Sequence, residues 1–557
     1  MTPTQSTTLQ APLPPSGLPQ LWRRWRPQAL RWRSAAFIIS LVTLIPLLVV
    51  LASFLSPQPE IWRHLSHYVL PDLLINTGWL LLGVGLGTLL LGVSLGWLVA
   101  VCEFPGRRFF SWALMLPLAL PAYVSAFAAI GIFDYTGPLQ TALRAAGFTH
   151  GLPPIRSRGG VILVLTLAFY PYVYLLARNA FLSQGRRALE VGQTLGLSPW
   201  AGFFKIALPT ARPWLFGGLL LVIMETLADF GTVSVFNYDT FTTAIYKAWF
   251  GMFSMAAAAQ LASILVIIVL LLALAEQVWQ RDRHYTATGK SALQRYPLTG
   301  QRKWAACAFA SMVLLLAFAL PVVQLLAWCT EVFANDFDSR YPGFVWHSIL
   351  LSAMAALLVV LCALVLAHTL RMTQDWPTRL GTRVATLGYA IPGTVLAVGV
   401  FIPVAWLDNQ LLPLLQHYLG ISVSSVFRGT LAVMLLAYLA RFLAAGFNPI
   451  DSAMQRITRS QQEAAQGMGY SGWRLFRALH WGMLRGGLQS GALLVFVDVM
   501  KEMPITLMTR PFGWDTLAVR VFEMTSEGQW DRAALPAMAL LLVGLIPVIL
   551  LSRHAEH

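Results

Sequence analysis

Charge is scarce in this sequence. Of 557 residues, 11% are Asp, Glu, Lys or Arg, against 57% that are hydrophobic. Several apolar runs exceed the roughly 18 residues that argue for a membrane-spanning helix, so the chain reads as a polytopic membrane protein. Cysteine is scarcer still. Cys102, Cys307, Cys329 and Cys362 each fall in or at the edge of an apolar segment, with no spacing of a metal site or a disulfide framework. The ten histidines are scattered, and no constellation has the spacing of a protease, a metalloenzyme or a nucleophile-and-base pair. Gly289-Lys290-Ser291 resembles the end of a phosphate loop, but that loop needs a glycine where His284 stands. The chain is thus expected to be no enzyme by itself and to hold no nucleotide. A net charge of +15 raises nucleic acid as a partner. The basic residues instead sit in short loops beside the apolar runs, where they set topology, so no nucleic acid is expected.

What is present is a series of spans. A Thr/Pro/Gln-rich stretch, 1–20, leads to Arg23, Arg24, Arg26, Arg31 and Arg33. The apolar run 37–55 lacks a small-residue cleavage site followed by a polar domain, so it reads as a first span rather than a signal peptide. Further spans are expected at 73–101, 110–133, 160–181, 214–236 and 256–278, then at 305–330, 347–370, 384–406, 429–447, 488–508 and 533–551. The expected organisation is a cytoplasmic basic tail (1–36), a first half (37–279), a cytoplasmic linker (280–303) and a second half (304–557). The bias of Lys and Arg places both termini inside. Gly83/Gly87 and Gly92/Gly96, small residues four apart, predict close helix packing.

The halves are a duplication. Two polar islands, 186–213 and 451–487, interrupt the apolar pattern, and Glu190, Gly196, Trp200 and Phe203 recur 273 positions later as Glu463, Gly469, Trp473 and Phe476. Each island is expected to hold a short helix with a glutamate, a break at the glycine, and a second helix that Ser198 or Ser471 could cap. Leu197, Trp200 and Phe203 in one copy, and Tyr470, Trp473 and Phe476 in the other, lie three apart on one helical face. Such a stripe either packs against the protein's own helix ends and lipid headgroups, or docks a partner with aromatic anchors. Two equivalent stripes suit a partner that is itself a twofold dimer.

The islands resemble the signature of permease subunits of binding-protein-dependent ABC importers. The second copy supplies Glu463-Ala464-Ala465 and Gly469; the first supplies Glu190, Gly196 and Ile206-x-Leu208-Pro209. Each copy also departs from the pattern, with Val191-Gly192 for the paired alanines in the first and Leu479-His480-Trp481-Gly482 in place of Ile-x-Leu-Pro in the second. The resemblance covers nearly the whole chain as two fused six-helix permease halves, an all-α fold of about twelve spans. It implies a bacterial inner membrane location. It also implies that each island is a coupling helix seated on a separate homodimeric ATPase, which would use the ATP and Mg. A solute-binding protein is implied on the outer face. A narrower likeness, to fused iron(III) importer permeases, rests on the stretches 224–233 and 500–520.

The fifth and eleventh spans carry Glu225 with Asp229, and Asp498 with Glu502, each pair four apart and the pairs again 273 apart. At about 15 Å into their helices such groups are costly, and by default functional. Carboxylate oxygens match a hard trivalent cation, so these four are expected to line a translocation path. The local alternative is that Asp498 pairs with Lys501 and Asp229 caps a kink at Gly231. No metal site is assigned. The cargo stays open between ferric ion, a ferric chelate, and a solute such as thiamine or a phosphonate. A gradient-driven secondary transporter and an ion channel are the rival readings.

Overall fold

In hydrocarbon every backbone N–H and C=O must find a partner within its own segment, so long apolar runs can only be helices. The computed structural model describes residues 27–55, 59–148, 151–194, 196–280, 295–336, 340–373, 375–419, 425–470 and 472–555. Residues 1–26 of the expected tail (1–36) and 281–294 of the expected linker (280–303) lie outside the described residues. Among the described residues, ten helices are long and apolar enough to cross a membrane. The pair Arg107–Ala119 and Ala122–Ala145, bent by 93°, makes an eleventh if taken as one span. The apolar helix Ala534–Ile546 is shorter. The twelve expected segments are therefore all helical, but not all are simple spans. The third breaks at Leu120-Pro121, because proline has no N–H to continue the ladder. The first helix begins at Pro27, inside the stretch expected to be a tail.

The duplication is visible in the backbone. Helices Leu208–Ala228 and Trp481–Lys501 share both ends at an offset of 273, as do the single π-turns before them, Phe203–Ala207 and Phe476–His480. In the first half, Leu70–Val101 packs along Arg158–Thr194 through the glycines singled out above. A Cβ on Gly92 would lie 2.6 Å from Val173 Cβ and 2.9 Å from Tyr174 N, and one on Gly96 would lie 2.9 Å from Ala177 Cβ.

The first helix of each half crosses to the other half. On Pro27–Leu55, Ser40 donates to the Gly381 carbonyl (2.9 Å) and Thr43 to that of Ala385 (3.2 Å), while Arg33 pairs with Asp375 at 2.6 Å. In return, Trp328 of Leu320–Asp336 stacks on Phe127 of the first half, with centroids 6.1 Å apart. A short parallel pairing of Cys102–Glu103 with Tyr296–Pro297 ties the chain just before the second half to the end of a first-half helix.

Two outcomes follow. Gly92→Leu should overpack the contact with Val173 and cost about 1–3 kcal/mol, seen as a lower Tm of the purified protein. Burial works against the Asp375 charge, but hydrogen bonds from the Thr378 hydroxyl and amide, with the Arg33 guanidinium, hold its carboxyl below the ordinary 3.8. A depressed carboxyl stabilises the fold above its unfolded pKa and loses that contribution as pH falls. Asp375→Asn should therefore lower Tm at neutral pH, and the gap to the parent should close as the pH falls below 3.8.

Candidate functional site

Helix Leu208–Ala228 stops at Asp229, whose backbone turns extended (ψ 127°), and a new short helix starts at Gly231. Helix Trp481–Lys501 stops in the same way at Glu502 (ψ 119°), and its successor starts with Pro504 at the first helical position. The expected continuous spans 214–236 and 488–508 are thus each broken at the second carboxylate of the pair. The break supplies free N–H groups and the carboxylate answers them. Asp229 accepts from the Thr232 hydroxyl (2.9 Å) and the Val233 amide (3.1 Å), and Glu502 accepts from the Ile505 amide (3.2 Å). The capping role foreseen as the local alternative for Asp229 is therefore present. The pairing of Asp498 with Lys501 is not found among the described residues, because the Lys501 ammonium donates to the Leu118 carbonyl at 2.9 Å.

All four carboxylates nevertheless line one cavity of about 770 Å³ between the halves. Among the described residues, Glu225 and Asp498 make no hydrogen bond or ion pair, and both are half-buried on its wall. Measured from Leu208, Glu225 lies about 25 Å along its helix, deeper than the 15 Å expected, because the helix starts earlier than the apolar run suggests. Sequence reasoning named Lys501 but missed Arg441 and the hydroxyls that share the cavity. Arg441 pairs with Glu502 (Nε to Oε2, 3.4 Å), and Tyr123, Tyr172 and Tyr389 complete the polar wall. A lone arginine within the apolar helix Leu431–Gln455 was the available signal. Among the described residues no three His, Cys, Asp or Glu side chains converge closely enough to hold a metal ion. The carboxylates are spread around the wall.

The islands are built alike. Gly196 (φ 74°) and Gly469 (φ 85°) both take the left-handed conformation that glycine alone adopts freely. In the second island, helix Arg459–Gly467 opens with a capping box of Thr458 and Gln461. It closes with Gly469 N–H donating to Gln466 O (2.9 Å) and Tyr470 N–H to Ala465 O (3.1 Å), a Schellman closure. Ser198 caps as expected, accepting from the Ala201 amide at 3.3 Å. Glu463, Ala464 and Tyr470 are exposed, Leu197 is half-buried, and Ala465 is buried. Phe203, expected on the docking stripe, turns inward instead. Its ring lies 4.7 Å from Trp97 and 6.3 Å from Phe181, because the π-turn it opens rotates it onto the bundle. Phe204 beside it is 59% exposed. Ser471 and the side chains of Glu190, Trp200, Trp473 and Phe476 lie outside the described residues.

Residues 89–281 match the family described as binding-protein-dependent transport system inner membrane component. The chain is 28% identical over 492 residues to an Fe(3+)-transport system permease protein of Haemophilus influenzae, covering 87% of this chain and 90% of that protein. A putative 2-aminoethylphosphonate transport system permease protein of Salmonella typhimurium is 26% identical, over 40% of this chain and 80% of its own length. A sulfate transport system permease protein of Escherichia coli is 28% identical, over 38% of this chain and 71% of its own length. With two equivalent loops, paired helix bundles and a polar cavity between them, the chain is a multi-pass membrane protein similar along most of its length to binding-protein-dependent transport permeases.

Proposed function

We propose that this one chain forms the whole membrane path of an ATP-driven importer, with two permease halves (37–279 and 304–557), and that its cargo is a cation, ferric ion or a ferric chelate. The observation that carries the reading is the set of four carboxylates at twofold positions on one cavity. Each pair sits on a helix that runs back to an island. The Fe(3+) permease of Haemophilus influenzae, similar along 87% of this chain, supports the cargo. The islands 186–213 and 451–487 face the cytoplasm, with both termini on that side. Glu190, Gly196, Leu197, Trp200 and Phe203, with Glu463, Ala464, Ala465, Gly469, Tyr470, Trp473 and Phe476, seat a homodimeric ATPase that uses the ATP and Mg. In this reading Phe203 anchors its loop to the bundle, and the exposed residues make the contact. A solute-binding protein delivers cargo to the outer face, and closure of the ATPase dimer rocks the halves to open the path outward. A second reading, an oxyanion cargo, draws on Arg441 and Lys501 in the same cavity and on the similarity to phosphonate and sulfate permeases.

Reconstitution with and without ATP and the ATPase tests the whole: uptake that needs both is expected, and uptake driven by an ion gradient alone would refute it. The two carboxylates of each pair should separate by behaviour. Glu225→Gln with Asp498→Asn should cut uptake and leave Tm unchanged. Asp229→Asn with Glu502→Gln should also cost about 0.5–2 kcal/mol per lost cap, read as a lower Tm. Gly196→Ala and Gly469→Ala each force a left-handed non-glycine residue at about 1–2 kcal/mol. They should impair ATP-coupled uptake unequally, because the islands differ around the glycine; equal losses would mean that both islands grip alike.

A further inference from the structure

The cavity wall is symmetric in its acids and asymmetric in its bases. Position by position at the offset of 273, Glu225 corresponds to Asp498, and Asp229 to Glu502, and all four line the cavity. The counterparts of Arg441 and Lys501 are Ala168 and Ala228, and these alanines line the same cavity. The second-half wall therefore carries two formal negative and two formal positive charges, and the first-half wall carries two negative charges alone. The arginine is held in place. It pairs with Glu502 at 3.4 Å, and it sits beside the Phe442 ring with its guanidinium carbon 5.6 Å from the centroid. On the first-half side of the cavity Tyr123 is 8% exposed, and its hydroxyl has no hydrogen-bond partner among the described residues. A buried hydroxyl left unpaired loses its hydration without recompense, so the Tyr123 hydroxyl offers a bond to whatever polar group enters the cavity.

We propose that the cationic cargo binds on the first-half wall at Glu225 and Asp229, and that Arg441 is a tethered counter-cation which, with Lys501, neutralises the matching second-half site. This rests on the reading of the cavity as a cation path. The physical reason is that a cation entering a low-dielectric cavity is drawn to the wall whose negative charge is not already balanced. With Arg441 in place only one of two twofold-related sites is open. The duplication then yields a single open site rather than a pair. A basic wall alone would favour an anion, but Arg441 already spends its charge on Glu502.

Terbium(III), a hard trivalent cation whose luminescence is sensitised by nearby tyrosine, probes the site in the full purified chain. Radiolabelled ferric uptake with the assembled partners follows it in proteoliposomes. Arg441→Gln should unmask Glu502 and lower the half-saturating terbium concentration about 5-fold or more, the size of an ordinary site-to-site coupling. Arg441→Gln with Glu502→Gln removes both charges and should return to the parent value, which a general loosening of the fold would not do. Ala168→Arg should place a counter-cation on the first-half wall and abolish terbium binding. Glu225→Gln should weaken it, and it does not depend on a buried arginine being tolerated. Loss of binding in Arg441→Gln, or a double variant no different from the single, would overturn the assignment. If terbium binds neither the parent nor any variant while ATP-dependent uptake of sulfate or phosphonate persists, the cation-path reading itself falls. Weakening in Glu225→Gln without tightening in Arg441→Gln overturns the role of Arg441 alone.

Discussion

The need to satisfy every backbone N–H inside a bilayer is the constraint from which the cavity follows. A helix that stops in mid-membrane leaves free amides, and water is not at hand to meet them. Here two helices stop at matching places, and the carboxylates of Asp229 and Glu502 accept from the amides of the helices that follow. The same geometry that makes the breaks tolerable turns acidic groups toward the space between the halves. One helical turn earlier, Glu225 and Asp498 have no amide to serve and remain available. Each pair thus divides into one member that also caps a helix and one that makes no hydrogen bond or ion pair among the described residues, a division the four-residue spacing alone does not disclose.

The crossing of the first helices gives the two halves a common fate. Pro27–Leu55 is bonded to Gly381 and Ala385 in the opposite half, and Trp328 reciprocates on Phe127. Contacts of this kind run in both directions between the halves. The short pairing of Cys102–Glu103 with Tyr296–Pro297 fixes one side of that arrangement.

Much of this was legible in the sequence because duplication leaves a trace that one chain carries within itself. Glu190 with Glu463 and Gly196 with Gly469 located the loops, and the acids located the cavity before any coordinate did. The left-handed glycines were foreseeable as breaks, since only glycine occupies that conformation cheaply. The contacts of the crossing helix were not foreseeable, since Ser40 and Gly381 are distant in sequence and the hydrogen bond uses a backbone carbonyl that any residue would offer. Nor was the inward turn of Phe203, which depends on one extra residue in a helical turn. Arg441 stood in plain view, yet a search for matching features passes over a residue whose partner position holds alanine.

That omission points to the physical role of asymmetry in a duplicated protein. Two identical halves around a cavity would present two equal sites, and a cargo moving between them would meet the same affinity twice. Replacing Ala168's counterpart with arginine and Ala228's with lysine changes the charge of one wall without altering its acids, its helix breaks or its packing. The helices Leu208–Ala228 and Trp481–Lys501 each run without a break from a π-turn beside an island to an acid on the cavity. Each island is thus joined to its own wall by one continuous helix. Because only one wall carries balanced charge, equal movements of the two helices would change the field in the cavity unequally.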